Sequence, residues 1–150
     1  MKVVLQRAKE SKVEIYNEIS VSISGGLVIL LGIEEKDEIE DILWLINKIK
    51  NLRIFNDEKG VMNKSIQDVQ KEFLVISQFT LHASTKKGNR PSYIKAAKSH
   101  IAIPLYNTFI KELRNSTNLK VATGIFGADM KVHLVNDGPV TIIIDSKNKE

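Results

Sequence analysis

Gly25-Gly26-Leu27-Val28-Ile29-Leu30-Leu31-Gly32 (GGLVILLG) sets five consecutive aliphatic side chains between glycines. The run is far short of the ~20 residues that a membrane helix needs. Bounded by glycine and rich in branched residues, it reads as a buried strand at the centre of a sheet. The rest of the chain arranges itself around that strand.

Upstream, residues 2–6 (KVVLQ) and 12–16 (KVEIY) read as strands. Asn17-Glu18 is a tight turn into a third, residues 19–23 (ISVSI), whose apolar side chains alternate. Downstream, Asp37 to Asn51 has helical spacing, with Ile39, Ile42, Leu43, Ile46 and Ile49 on one stripe. Asp37 and Glu40 suggest a capping box, and Lys48 and Lys50 suit the negative end of the helix dipole. Trp44 is expected to anchor this helix to the sheet.

Residues 56–60 (NDEKG) predict a hairpin loop, and residues 73–77 (FLVIS) another buried strand. A second helical region spans Ser92 to about Arg114, with a break expected at Pro104 because proline lacks the N–H donor. Residues 120–123, 131–135 and 140–145 complete the strands. This order predicts an α+β fold: a curled, mostly antiparallel, barrel-like sheet with two helical segments on one face.

At 150 residues, 43% hydrophobic and 27% charged, the chain is expected to form one domain over residues 1–150. It has no cysteine, which excludes disulfides, thiolate metal sites and cysteine nucleophiles. The opening MKVVLQRAKESK returns to charge after three apolar residues, so no secretory h-region is read there, and a cytoplasmic location is expected. The net charge of +4 leans toward polyanionic partners.

Histidines 82, 100 and 133 lie far apart and show no ligand spacing, so no metal is expected. Thr80 and His82, two apart on a predicted strand end, could share a face as nucleophile and base, though no carboxylate is at hand to orient them. The loop Thr85-Lys86-Lys87-Gly88-Asn89-Arg90-Pro91 reads either as a solvated connection or as a clamp for RNA phosphates. Gly124-Ile125-Phe126-Gly127-Ala128-Asp129-Met130 lacks the context of a dinucleotide site. It reads as a connection between strands whose glycines permit close approach. Ser77-Gln78-Phe79-Thr80-Leu81 ends a strand with polar groups, a place for backbone N–H donors toward an oxyanion. Val135-Asn136-Asp137-Gly138-Pro139-Val140 looks like turn chemistry set between strands.

Taken together, SQFTL, the KKGNRPS loop, GIFGADM and NDGPVT resemble the D-aminoacyl-tRNA deacylase family, also called D-tyrosyl-tRNA deacylases. MKVVLQRA, SGGLVILLGI and NLRIFND extend the likeness over the whole chain. The resemblance implies a homodimer that hydrolyses the ester between a D-amino acid and the 3′-terminal adenosine of tRNA, a quality-control step in translation, with no cofactor and no other protein partner. It implies that Ser77, Gln78, Phe79 and Thr80 line the adenosine and ester pocket, with Phe126 and Met130 on its wall. Gly138-Pro139, with a cis peptide bond and braced by Arg7, is implied to reach the partner's pocket as the chiral selector. Lys86, Lys87 and Arg90 are implied to lie near the tRNA.

His82 stands where members carry an aromatic residue, which argues against it as an essential base, and Ser84 stands where they carry an acid. Thr80 as nucleophile, water positioner or pocket wall remains open. A nucleic-acid-binding module and a small-ester hydrolase built on Thr80 and His82 are the competing readings.

Overall fold

The computed structural model describes residues 1–149. Its strands are β1 (Lys2–Ile15), β2 (Ile19–Ile23), β3 (Gly26–Gly32), β4 (Phe55–Asn56), β5 (Met62–Lys64), β6 (Glu72–Ser77), β7 (Val121–Thr123) and β8 (Met130–Asp145). Its helices are α1 (Ile39–Asn51) and α2 (Ser99–Asn115). The main sheet runs β2-β1-β3-β6-β7, with β8 added on the other side of β1. Pairs involving β1 are antiparallel, whereas β3–β6 and β6–β7 are parallel.

The GGLVILLG run is β3, at the centre of that order. Both its faces are covered, which is why it tolerates no polar side chain. Leu27, Ile29 and Leu31 face the helices, in one cluster with Leu45, Ile49 and Phe109. Val28 faces the other way, with Val13, Ile15, Leu74 and Ile76, inside the curl of the sheet. The curl brings β2 close to β6 and β7. Both helices therefore lie on one face of a nearly closed sheet, as expected.

Several boundaries differ from the expectation. The strands at 2–6 and 12–16 are one strand, β1, whose register against β8 shifts between Gln6, Ala8 and Glu10. Those at 131–135 and 140–145 are likewise one strand, β8. α1 starts at Ile39 with Glu38 as N-cap, its N–H donating to Asp41 at 2.9 Å, so the capping pair is Glu38/Asp41. Asp37 is instead buried, and it holds the N-terminal ammonium and the Glu34 N–H. The buried stripe of α1 is Ile42, Leu45, Ile46 and Ile49, while Ile39 and Leu43 are exposed. Trp44 is half-buried against the main cluster, with the Lys149 ammonium 4.7 Å from its ring centre.

α2 begins at Ser99, and residues 92–98 are not helical. The helix runs through Pro104 without a break. Pro104 lies in the second turn, past the positions whose N–H groups have no helical acceptor, but it and His100, whose carbonyl loses its donor, are both exposed, so solvent can serve that carbonyl.

Candidate active site

Where β6 ends, Gln78 leaves the strand and Phe79–His82 forms a 3₁₀ turn rather than the predicted strand end. In a 3₁₀ turn, residues two apart point in different directions, so Thr80 and His82 do not share a face. Gln78 Nε2 donates to Thr80 Oγ1 at 2.5 Å. His82 is buried and its Nε2 has no partner among the described residues. It lines a separate recess with Lys2, Glu34 and Asp145. A Thr80–His82 nucleophile and base is therefore not assembled.

A cavity of about 300 Å³ opens beside the turn, walled by Ser77, Gln78, Phe79, Phe126, Met130 and the missed residue Asp129. Strand β6 supplies one side and the β7–β8 connection the other, so segments fifty residues apart in sequence meet. Thr80 is not on this wall. Gly124 makes room for Met130: a Cβ there would lie 2.5 Å from the Met130 Sδ. Phe79 is exposed at the rim and meets Tyr93 edge-on, ring centres 5.1 Å apart.

Phe126 is held by Tyr106, whose ring it meets at 5.5 Å. Burial pushes the Tyr106 hydroxyl up to about 12, so it stays a neutral donor, to the Val75 carbonyl at 3.2 Å. Asp129 is the one carboxylate lining the cavity among the described residues. The N–H groups of Phe79 and Thr80 open the 3₁₀ turn, where no acceptor exists within the turn itself.

The NDGPV segment is not a turn between strands but an excursion within β8. Gln6 pairs with Thr141 and Ala8 with Asn136, five steps along β8 against two along β1. The surplus residues bulge out of the ladder opposite Arg7. Arg7 is buried; its Nε donates to the Asp137 carbonyl at 3.1 Å and its Nη1 to the Ile54 carbonyl at 2.7 Å. Its Nε also lies 3.2 Å from the Asp137 carboxylate.

On the flanks, Asn136 Nδ2 donates to Gln6 Oε1 at 2.9 Å, Val140 N–H donates to Asn136 Oδ1 at 3.3 Å, and Thr141 donates to Gln6. Gly138 has φ 119°, and the Gly138-Pro139 peptide is cis. Both residues are exposed, and neither lines the cavity of its own chain. The loop carrying Lys86, Lys87 and Arg90 is fully exposed, closed at its base by the paired backbones of Ser84 and Ser92. No group of three or more His, Asp or Glu that could hold a metal exists among the described residues. Among the described residues no helix is long and apolar enough to cross a membrane.

This chain is 62% identical to a D-aminoacyl-tRNA deacylase of Flavobacterium psychrophilum, and 61% identical to one of Bacteroides thetaiotaomicron, each alignment covering both proteins completely. Among solved structures, one named c-Myc DNA Unwinding Element Binding Protein superposes with a TM-score of 0.91 at 40% identity, over 97% of this chain and 98% of that one. A probable eukaryotic D-amino acid tRNA deacylase shares the fold, with a TM-score of 0.81 at 16% identity over 95% and 97% of the two chains. The family model described as D-Tyr-tRNA(Tyr) deacylase matches residues 4–145, and the chain belongs to that family.

Proposed function

We propose that the protein hydrolyses the ester that joins a D-amino acid to the 3′-terminal adenosine of tRNA. The cavity that gathers Ser77, Gln78, Phe79, Phe126 and Met130 carries this reading. It has an apolar wall for a base or side chain and polar groups at one end. The ester is already activated by the neighbouring ribose hydroxyl and the α-ammonium, so positioning and oxyanion stabilisation can suffice. The Phe79 N–H, on the cavity wall, holds the carbonyl oxygen with the Thr80 N–H just beyond it at the start of the turn, and a water assisted by the substrate's 2′-hydroxyl attacks. Thr80, bonded to Gln78 and off the cavity wall, supports the turn rather than acting as nucleophile.

The selector acts across a homodimer. Among the described residues β8 pairs with β1 only and leaves its outer edge free, with Val132, Val135 and Ile143 exposed on the strand. A long free edge of this kind is a template for association. Gly138-Pro139, exposed and away from its own cavity, enters the pocket of the partner. With the amine and carbonyl of the substrate pinned, inverting Cα swaps hydrogen for side chain. A backbone wall that cannot move aside then admits one hand only, whereas side-chain walls discriminate by only ~1–3 kcal/mol per methylene. Glycine, with hydrogen on both sides, passes to some extent.

Lys86, Lys87 and Arg90 contact the tRNA. The protein acts alone, as one domain, in the cytoplasm. Deacylation of D- and L-tyrosyl-tRNA tests the reading: the D-ester should be cleaved and the L-ester spared, and equal rates would sink it.

A further inference from the structure

A second cavity of about 540 Å³ adjoins the first and shares Phe126 with it. It lies between the C-terminal half of α2 and the β7–β8 connection, lined among others by Asn107, Lys111, Arg114, Asn115 and Thr123. The cations Lys111 and Arg114 meet the neutral hydrogen-bonding side chains of Asn107, Asn115 and Thr123 there, and no carboxylate lines it among the described residues. The candidate active site has the opposite character, with Asp129 and no cation on its wall. The recess around His82 mixes Lys2 and Lys95 with Glu34 and Asp145, which neutralise one another.

The cations of the second cavity are free to bind. Lys111 is exposed and has no partner among the described residues. Arg114 gives one of its five N–H donors to the Val121 carbonyl at 3.1 Å and keeps the others. Ile125 is exposed at the rim and Phe126 forms the shared wall, so apolar surface lies beside the cations. Cations that track a backbone, next to apolar or aromatic surface that takes bases, are the composition that binds single-stranded nucleic acid.

We propose that this cavity holds the phosphodiester backbone of the unpaired nucleotides immediately before the terminal adenosine. This inference rests on the deacylase reading and adds to it the path by which the RNA leaves the active site. A terminal nucleoside seated beside Phe79 and Phe126 has its 5′-phosphate and preceding residues outside the first cavity. The strand then turns past Phe126 toward Lys111 and Arg114, rather than running only past Tyr93 to the basic loop.

The test compares two substrates that share the reacting ester: D-tyrosyl-tRNA, and D-tyrosyl adenosine, which has no phosphodiester. For wild type and Lys111→Glu, the readout is the ratio of kcat/KM on the tRNA to kcat/KM on the small ester. Lys111→Glu should lower that ratio by roughly tenfold or more, mainly through KM. It should also flatten the dependence of log KM on log salt by about 0.7, the increment that one neutralised phosphate of a single strand supplies. Asn115→Asp, which adds an acid to the same wall, should act in the same direction. Arg114 is left intact because it also caps Val121.

Lys36→Glu makes the same charge change in the exposed turn before α1 and should leave the ratio at the wild-type value. A ratio within about twofold of wild type in both cavity variants overturns the assignment. So does an equal fall in Lys36→Glu, which would reveal long-range steering only. A wild-type protein that cleaves neither ester overturns the deacylase reading itself, and this path with it.

Discussion

Replacing Gly138 with alanine puts a methyl group where the excursion of β8 has least room. The φ of 119° lies where an L side chain costs on the order of 1–3 kcal/mol. The new Cβ would also sit 2.9 Å from Arg7 Nη2, 2.9 Å from Val140 Cγ2 and 3.2 Å from the Val140 nitrogen. Arg7 is buried and tied to the Asp137 and Ile54 carbonyls, so it cannot swing away without leaving those acceptors bare. Together the two effects should destabilise the fold by about 2–4 kcal/mol. That corresponds to roughly 5–15 °C in melting temperature for a chain of this size.

Function should respond more steeply than stability. On the proposed selector role, a Gly138-Pro139 unit displaced by a few tenths of an ångström would no longer present its carbonyls as a fixed wall, and the D-over-L ratio should fall by about tenfold or more. Thermal unfolding and paired deacylation assays on purified Gly138→Ala give both numbers. A variant that melts within about 1 °C of wild type and keeps its D-over-L ratio would refute the claim that close contact with Arg7 holds this segment.

Three further outcomes follow from the same geometry. Wild type should sediment at twice the 16.9 kDa chain mass, and Val135→Glu on the free β8 edge should sediment as a monomer and lose deacylation; a fully active monomer would refute the shared site. Asp129→Asn should retain more than a tenth of kcat, because a general base is worth roughly 10²–10⁴-fold, and a larger loss would make Asp129 that base. Burial pushes the Asp41 carboxyl up, but hydrogen bonds from Lys147, Ser146 and the Glu38 backbone outweigh it and hold the group at about 2. Its stabilisation is therefore present above the ordinary carboxylate range and lost as pH falls toward 2. Denaturant unfolding should show Asp41→Asn less stable than wild type by on the order of 2 kcal/mol at neutral pH, with the gap closing between about pH 4 and 2.

Much of this architecture was legible in local sequence. GGLVILLG could only be an interior strand, and the stripe of α1 was visible at Ile42, Ile46 and Ile49, although Leu45 was missed and Ile39 and Leu43 were wrongly included. Those two fall at the edge of the stripe, where periodicity cannot say how far the covering surface extends. Pro104 misled because the cost of a proline inside a helix depends on whether the carbonyl it orphans is buried, and here that carbonyl belongs to exposed His100. NDGPV misled more instructively. Its residues are ordinary turn formers, and only the pairing of Gln6 with Thr141 and Ala8 with Asn136 reveals that the chain resumes the same ladder. The cavity residues Ser77, Gln78, Phe79, Phe126 and Met130 were reachable through resemblance. Asp129 and Tyr106 were not, because their importance comes from tertiary neighbours and not from any local pattern.

The excursion at Asp137–Val140 also bears on how this scaffold can change over time. In a regular strand, deleting one residue turns every later side chain to the other face and ruins the core. Here the surplus residues hang outside a ladder that is already closed on both sides of them. An insertion or deletion between Asn136 and Thr141 alters how far the backbone projects, by about half of the roughly 3.3 Å of contour that each residue adds because the chain must go out and return, and leaves the register of Met130–Val135 and Ile142–Asp145 as it was. Reach is thereby uncoupled from folding: lineages can lengthen, shorten or re-aim the projection while inheriting the barrel unchanged.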